Sequence, residues 1–189
     1  MRIIKSIFIL SSVLFFITLA TNARFSSEAK IQNNIFSTGV WTSSKIVINE
    51  VYYDPDRTIS TKPDKAWIEI YNNQNISANI KNWQICNSVD CFVLHPQKEI
   101  PAFGFLLIAH DASALQPWTV SPDVEQVYYA GYPMGLRVSG DSVILKDQNG
   151  NVIDQMVYLQ GAAQNNQSLE RQPKGVGNFV TQNIPTPGF

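Results

Sequence analysis

Five carboxylates fall between positions 50 and 69 of this 189-residue chain: Glu50, Asp54, Asp56, Asp64 and Glu69. A hard cation such as calcium takes about six to eight oxygens, which adjacent loop carboxylates and Asn carbonyls can supply. Asp54, Asp56 and Asp64 are therefore the candidate metal ligands. The alternative is structural: Asp54 and Asp56 flank Pro55 and start a turn, while Glu50 and Glu69 bond backbone or basic groups at strand ends. Cys86 and Cys91 flank Asn87-Ser88-Val89-Asp90, a loop of hairpin length, so they are a candidate disulfide, with two unlinked thiols as the alternative. Only His95 and His110 could complete a zinc site with them, which argues against zinc. The same two histidines are the candidate bases, but no nucleophile elbow, HExxH helix or paired-acid motif frames either. No catalytic residue is expected, and no cofactor beyond the possible calcium.

The elements that must position these residues read as short strands. From Ile46, apolar and β-branched residues alternate or nearly so through Val51, until Asp54-Pro55-Asp56 stops the run. Residues 66–72 alternate again, with Trp67, Glu69 and Tyr71 on one face and Ile68 and Ile70 on the other, a pattern for a strand buried on both sides. Trp83 reads as a core residue, Phe105 to Ile108 as a further buried strand, and Glu125 to Ala130 as a short one. Ser142 to Lys146 and Asn151 to Tyr158 flank Asp147-Gln148-Asn149-Gly150, whose Asn-Gly is a strong hairpin signal. Its glycine comes too early for an EF-hand loop. Trp41, Trp118, Tyr128 and Tyr129 are candidates for an aromatic ligand platform, with core burial as the alternative. Many short strands, no helix of ordinary length and no βαβ alternation predict an all-β antiparallel sandwich.

Composition narrows the partners. A formal net charge of -1, from 14 Lys+Arg and 15 Asp+Glu, supplies no basic field for nucleic acid. Charged residues are 15%, below the roughly 25% usual for soluble domains. The surface is polar but weakly charged, which suits an extracellular β protein. Residues 1–23 read as a secretory signal peptide: Arg2 and Lys5 form the positive region, 7–20 an apolar run, and Thr21-Asn22-Ala23 a cleavage site. The run is shorter than the roughly 20 residues that span a bilayer. An uncleaved N-terminal anchor is the alternative and the only expected membrane contact. Residues 24–44 form a lead-in, 45–172 the sandwich, and 173–189, with Pro173, Pro185 and Pro187, a C-terminal tail.

The order of the elements resembles the lamin tail domain family, here its exported bacterial branch. The resemblance rests on I-V-I-N-E-V at 46–51, W-I-E-I-Y-N at 67–72, I-K-N-W-Q-I at 80–85 and F-G-F-L-L-I at 103–108. D-S-V-I-L-K-D-Q-N-G-N-V-I-D-Q at 141–155 and Q-S-L-E-R at 167–171 continue it. It implies an immunoglobulin-like sandwich with Asn49, Glu50, Trp67, Glu69, Tyr71, Asn72 and Trp83 as its signature, and binding or scaffolding rather than catalysis. The fragment N-N-I-F-S-T-G-V-W at 33–41 also resembles the segment after the leader in camelysin-like bacterial surface proteins. No heptad rod precedes the domain, so the partners of lamins do not carry over. The expectation is an exported, non-catalytic binding or scaffold module of the cell envelope with a protein or cell-surface partner. The alternatives are a calcium-stabilised carbohydrate- or protein-binding module and an accessory domain of an extracellular hydrolase.

Overall fold

The computed structural model describes residues 45–55, 65–130 and 135–189, all within the unit Ile35–Phe189. Among these described residues ten strands follow in chain order: β1 (Ile46–Tyr52), β2 (Trp67–Asn72), β3 (Gln84–Cys86), β4 (Cys91–Val93), β5 (Phe105–Ala109), β6 (Glu125–Tyr128), β7 (Gly140–Lys146), β8 (Val152–Leu159), β9 (Ser168–Gln172) and β10 (Asn178–Gln182). They form a six-stranded sheet, β10-β9-β1-β2-β5-β6, and a four-stranded sheet, β4-β3-β7-β8. The expected antiparallel pairing holds throughout except for β5 and β6, which run parallel. That exception follows from chain path, because the connection carrying a single 3-10 turn at Ala112–Ala114 crosses from one end of β5 back to the other before β6 begins.

Between the sheets lies the main core. Ile46, Ile48, Val51, Ile68, Ile70, Leu106 and Ile108 from the larger sheet meet Ile85, Phe92, Val143, Leu145, Met156 and Tyr158 from the smaller. The opposite face of the larger sheet is also buried. Tyr52, Trp67, Leu107 and Ala109 pack there under Ala114 and Leu115, with Trp118, Val120 and Val124 alongside. Residues 67–72 are buried at every position, because this strand has apolar layers on both sides.

One irregularity in β1 sets the polar residues. Its register with β2 shifts between Ile48 and Glu50, the signature of a β-bulge. Ile48 and Val51 both point into the main core, so the extra residue leaves Asn49 and Glu50 on the outer face beside Glu69. The step from Ile48 to Val51 in the sequence is this phase slip.

Two expectations need correction. Residues 173–189 are not a tail: Asn178–Gln182 pairs along the whole of β9 as an edge strand, and Pro185, Pro187 and Gly188 are buried. Prolines signalled a tail because they cannot extend a ladder, but here all three flank β10 rather than interrupt it. Trp83 is half-buried rather than central; it packs against the core's edge one residue before β3 starts, and Ile85 takes the inward position. Trp67 is the deeply buried tryptophan.

Candidate functional site

The outer face of β1 and β2 carries the densest buried polar chemistry. Asn49, Glu50 and Glu69 are fully buried there, as is Asn72 at the end of β2 on the face of Ile68 and Ile70, and each is fixed by specific partners. Glu50 and Glu69 are register partners across β1 and β2. Asn49 Nδ2 donates to Glu69 Oε1 at 2.8 Å, and its Oδ1 accepts from the Gly175 N–H at 3.1 Å. Glu69 Oε2 accepts from the Gly188 N–H at 2.6 Å. Glu50 Oε1 accepts from the Thr186 N–H at 3.1 Å and from the Ser168 hydroxyl, while Thr186 Oγ1 donates to Oε2 at 3.2 Å. The acids therefore clip the segment 183–189 across the sheet as a strap.

Two glycines, Gly175 before β10 and Gly188 in the strap, let the C-terminal residues come close. Gly175 has φ +73 with the Tyr71 ring where a Cβ would sit, and Gly188 has φ +87 against Val124. An L side chain at either position meets both backbone strain and a steric contact. Tyr71 in turn packs on Phe105, ring centroids 5.1 Å apart, and Lys174 Nζ lies 4.6 Å from the Phe105 centroid.

Burial pushes the Glu50 carboxyl up to about 7, against the lowering hydrogen bonds from Ser168 and Thr186, with Glu170 nearby raising it further. Burial likewise pushes Glu69 up to about 8; Glu50 adds to the rise, while Gly188, Asn49 and, more weakly, Lys174 oppose it. Two desolvated carboxylates side by side resist joint ionisation. The strap is therefore held by acids that keep their protons below neutral pH. Each oxygen still accepts a hydrogen bond when its carboxyl is protonated.

A further buried acid, Asp154 of β8 in the smaller sheet, faces the inner side of the larger one. Arg171 Nη2 donates to both Asp154 oxygens at 2.9 Å, its Nε to the Ile48 carbonyl at 2.8 Å, and its Nη1 to the Gly177 carbonyl at 2.9 Å. Asp154 Oδ2 also accepts from the Ile48 N–H at 2.8 Å. This pair ties β8 of one sheet to β1 and β9 of the other. Burial raises the Asp154 carboxyl, and the guanidinium opposes that.

The other candidates are dispersed. Asp54 is half-buried just after β1, where its carbonyl accepts from the Asn166 N–H at 3.0 Å; Asp56 and Asp64 lie outside the described residues. Cys86 and Cys91 are joined as a disulfide across the β3–β4 hairpin. His95 is exposed. His110 Nδ1 sits 3.0 Å from Asp111 Oδ2, and Asp111 also caps the 3-10 turn by accepting from the Ser113 N–H at 2.7 Å. The Ser113 hydroxyl, which donates to Asp111 Oδ1, and after it the hydrogen bond from His110 hold the Asp111 carboxyl down to about 2. The aromatic platform does not form: Tyr129 is buried, Tyr128 is exposed, Trp118 packs beside Trp67, and Trp41 lies outside the described residues. Alternation along β6 separates the two tyrosines, since Tyr128 ends the strand facing out.

Sequence reasoning named Glu50 and Glu69 but not what they hold. It missed Ser168, Thr186 and Gly188 as their partners, since nothing in the spacing links positions more than a hundred residues apart, and it missed the separate Asp154–Arg171 pair. The lone charges Asp154 and Arg171 within strand patterns were the available signal.

This arrangement defines an immunoglobulin-like β-sandwich with an added outer layer, its buried acids serving structure. A family model described as Lamin Tail Domain matches residues 41–160, and the chain belongs to that family. Membership suggests a protein-interaction module of a typically non-catalytic domain type. No curated protein matches the chain.

Proposed function

We propose that this protein is an exported, non-catalytic binding and scaffold module of the cell envelope, engaging a protein or cell-surface partner. The observation that carries the reading is the employment of the buried acids. Glu50, Glu69 and Asp154 each accept backbone N–H groups from distant segments, so these side chains close the fold instead of facing a substrate. The leader-like segment 1–23 and the linked cysteines Cys86 and Cys91 support export, because disulfides persist in oxidising compartments.

Fractionation with N-terminal sequencing of native material tests the proposal. The expected result is protein in the envelope or extracellular fraction. A cytosolic protein with reduced cysteines would overturn it. A hydrolase screen with His110→Ala as control tests the non-catalytic part, and turnover lost in that variant would contradict it.

A further inference from the structure

Three described residues other than glycine have positive φ: Asn82, Phe103 and Asn166. Asparagine tolerates the left-handed region; a bulky aromatic does not, and Phe103 at φ +54 is a genuine outlier. Packing does not compensate it, since Phe103 is 55% exposed. An unfavourable backbone and an unburied ring thus coincide at one residue. Such a coincidence points to a use outside the domain's own stability.

The surrounding loops hold Phe103 in place. Its N–H donates to the Gln74 carbonyl at 3.1 Å. Asn72 Nδ2 donates to the carbonyls of Ile76, Pro101 and Ile100 at 2.8, 2.8 and 3.1 Å, and its backbone N–H to Gly104 at 2.9 Å. One buried asparagine therefore fastens the loop 73–77 to the turn 101–104. The first loop carries Ile76, which is 62% exposed. Two apolar side chains stand on two joined loop apices at the same end of the sandwich.

Basic residues surround this tip. Lys45 is exposed, and its carbonyl accepts from the Asn73 N–H at 2.7 Å. Lys174 lies over the Phe105 ring. Exposed Lys98 adjoins Glu99, which bonds Ser77 of the loop and is the acid these contacts bring to the tip.

We propose that the tip formed by loops 73–77 and 101–104 is a lipid-contacting surface, with Phe103 and Ile76 entering an anionic bilayer interface and the lysines meeting its headgroups. Apolar apices with flanking lysines match the two components of interfacial binding, burial of rings and aliphatic chains plus attraction to acidic lipid. The proposal deepens the envelope reading and rests on it for the presence of a bilayer.

The test uses the full chain with a polarity-sensitive fluorophore on Ala102→Cys, added to phosphatidylcholine vesicles with and without phosphatidylglycerol. A second label on Gln160→Cys, an exposed site past the end of β8, reports non-specific adsorption. The expected result is a blue shift at position 102 only, stronger with phosphatidylglycerol and weaker in high salt. Adding Phe103→Asn should raise the lipid needed for half-maximal shift roughly tenfold or more, the scale of one buried aromatic ring. That variant should keep or raise the melting temperature, because Asn relieves the backbone, so lost binding cannot be ascribed to unfolding. No shift at 102, equal shifts at both sites, or a response unaltered by Phe103→Asn would overturn the proposal. Fractionation decides the envelope reading separately: a protein exported but unresponsive to vesicles sinks only this inference.

Discussion

The larger sheet buries acids on both faces by opposite means. On the inner face Asp154 meets the Arg171 guanidinium, and the pair joins the two sheets. On the outer face Glu50 and Glu69 face each other and the strap, and among the described residues neither is ion-paired with a basic side chain. One site places a cation against the buried charge; the other avoids the charge by keeping protons. The first is sensitive to losing a partner and the second to pH. Only the second controls a peripheral segment, because the strap 183–189 lies over it.

Removing a partner should have the largest effect. Arg171→Ala leaves Asp154 buried without its cation, and the expected loss is about 3–5 kcal/mol in denaturant titration. Asp154→Leu combined with Arg171→Met should recover much of that, since apolar replacement of a whole buried pair is often neutral. A double variant as unstable as Arg171→Ala would break this half of the comparison.

Acidity should produce the next effect, with a sign that is unusual for carboxylates. The folded-state values of Glu50 and Glu69 are raised to about 7 and about 8, so between about pH 4.5 and 8 the closed state binds more protons than an open one. Stability is then full near pH 4.5 and is lost as pH rises through 7 and 8. Asp154, also raised, adds in the same direction. Calorimetry should show a melting temperature that declines from pH 5 to 8, and Glu50→Gln with Glu69→Gln should flatten most of that decline. Hydrogen exchange at the Thr186 and Gly188 amides would locate the opening in the strap.

Smaller effects sharpen the contrast by leaving both acid sites intact. Reducing Cys86–Cys91 releases a short loop, and chain entropy sets the expected loss at about 2 kcal/mol without altering the pH profile. Phe103→Asn should gain about 1 kcal/mol by relieving the left-handed backbone, which urea titration can resolve.

The elements of the sandwich were largely legible, because period-two alternation in 46–52 and 67–72 and the Asn-Gly hairpin at 149–150 are local properties of sequence. Even the bulge was present as the slip between Ile48 and Val51. What stayed hidden was long-range. Glu69 and Gly188 are 119 residues apart and Glu50 and Thr186 136, and no local pattern encodes such pairing. The prolines at 173, 185 and 187 concealed β10 and the strap, since each is a breaker at its own position and says nothing about the residues between. Trp83 misled for a related reason: its type fits a core, but its position at the rim of β3 is set by where the strand begins.

Carbon-detected NMR titration of the glutamate side-chain carboxyls reads the claim about the outer face most directly. The account predicts that two of them, lost in Glu50→Gln and Glu69→Gln, titrate near 7 and 8, well above the roughly 4.3 of a free glutamate. Both titrating below 5 would mean that the strap is clipped by ionised carboxylates, and the contrast between the two faces would fail.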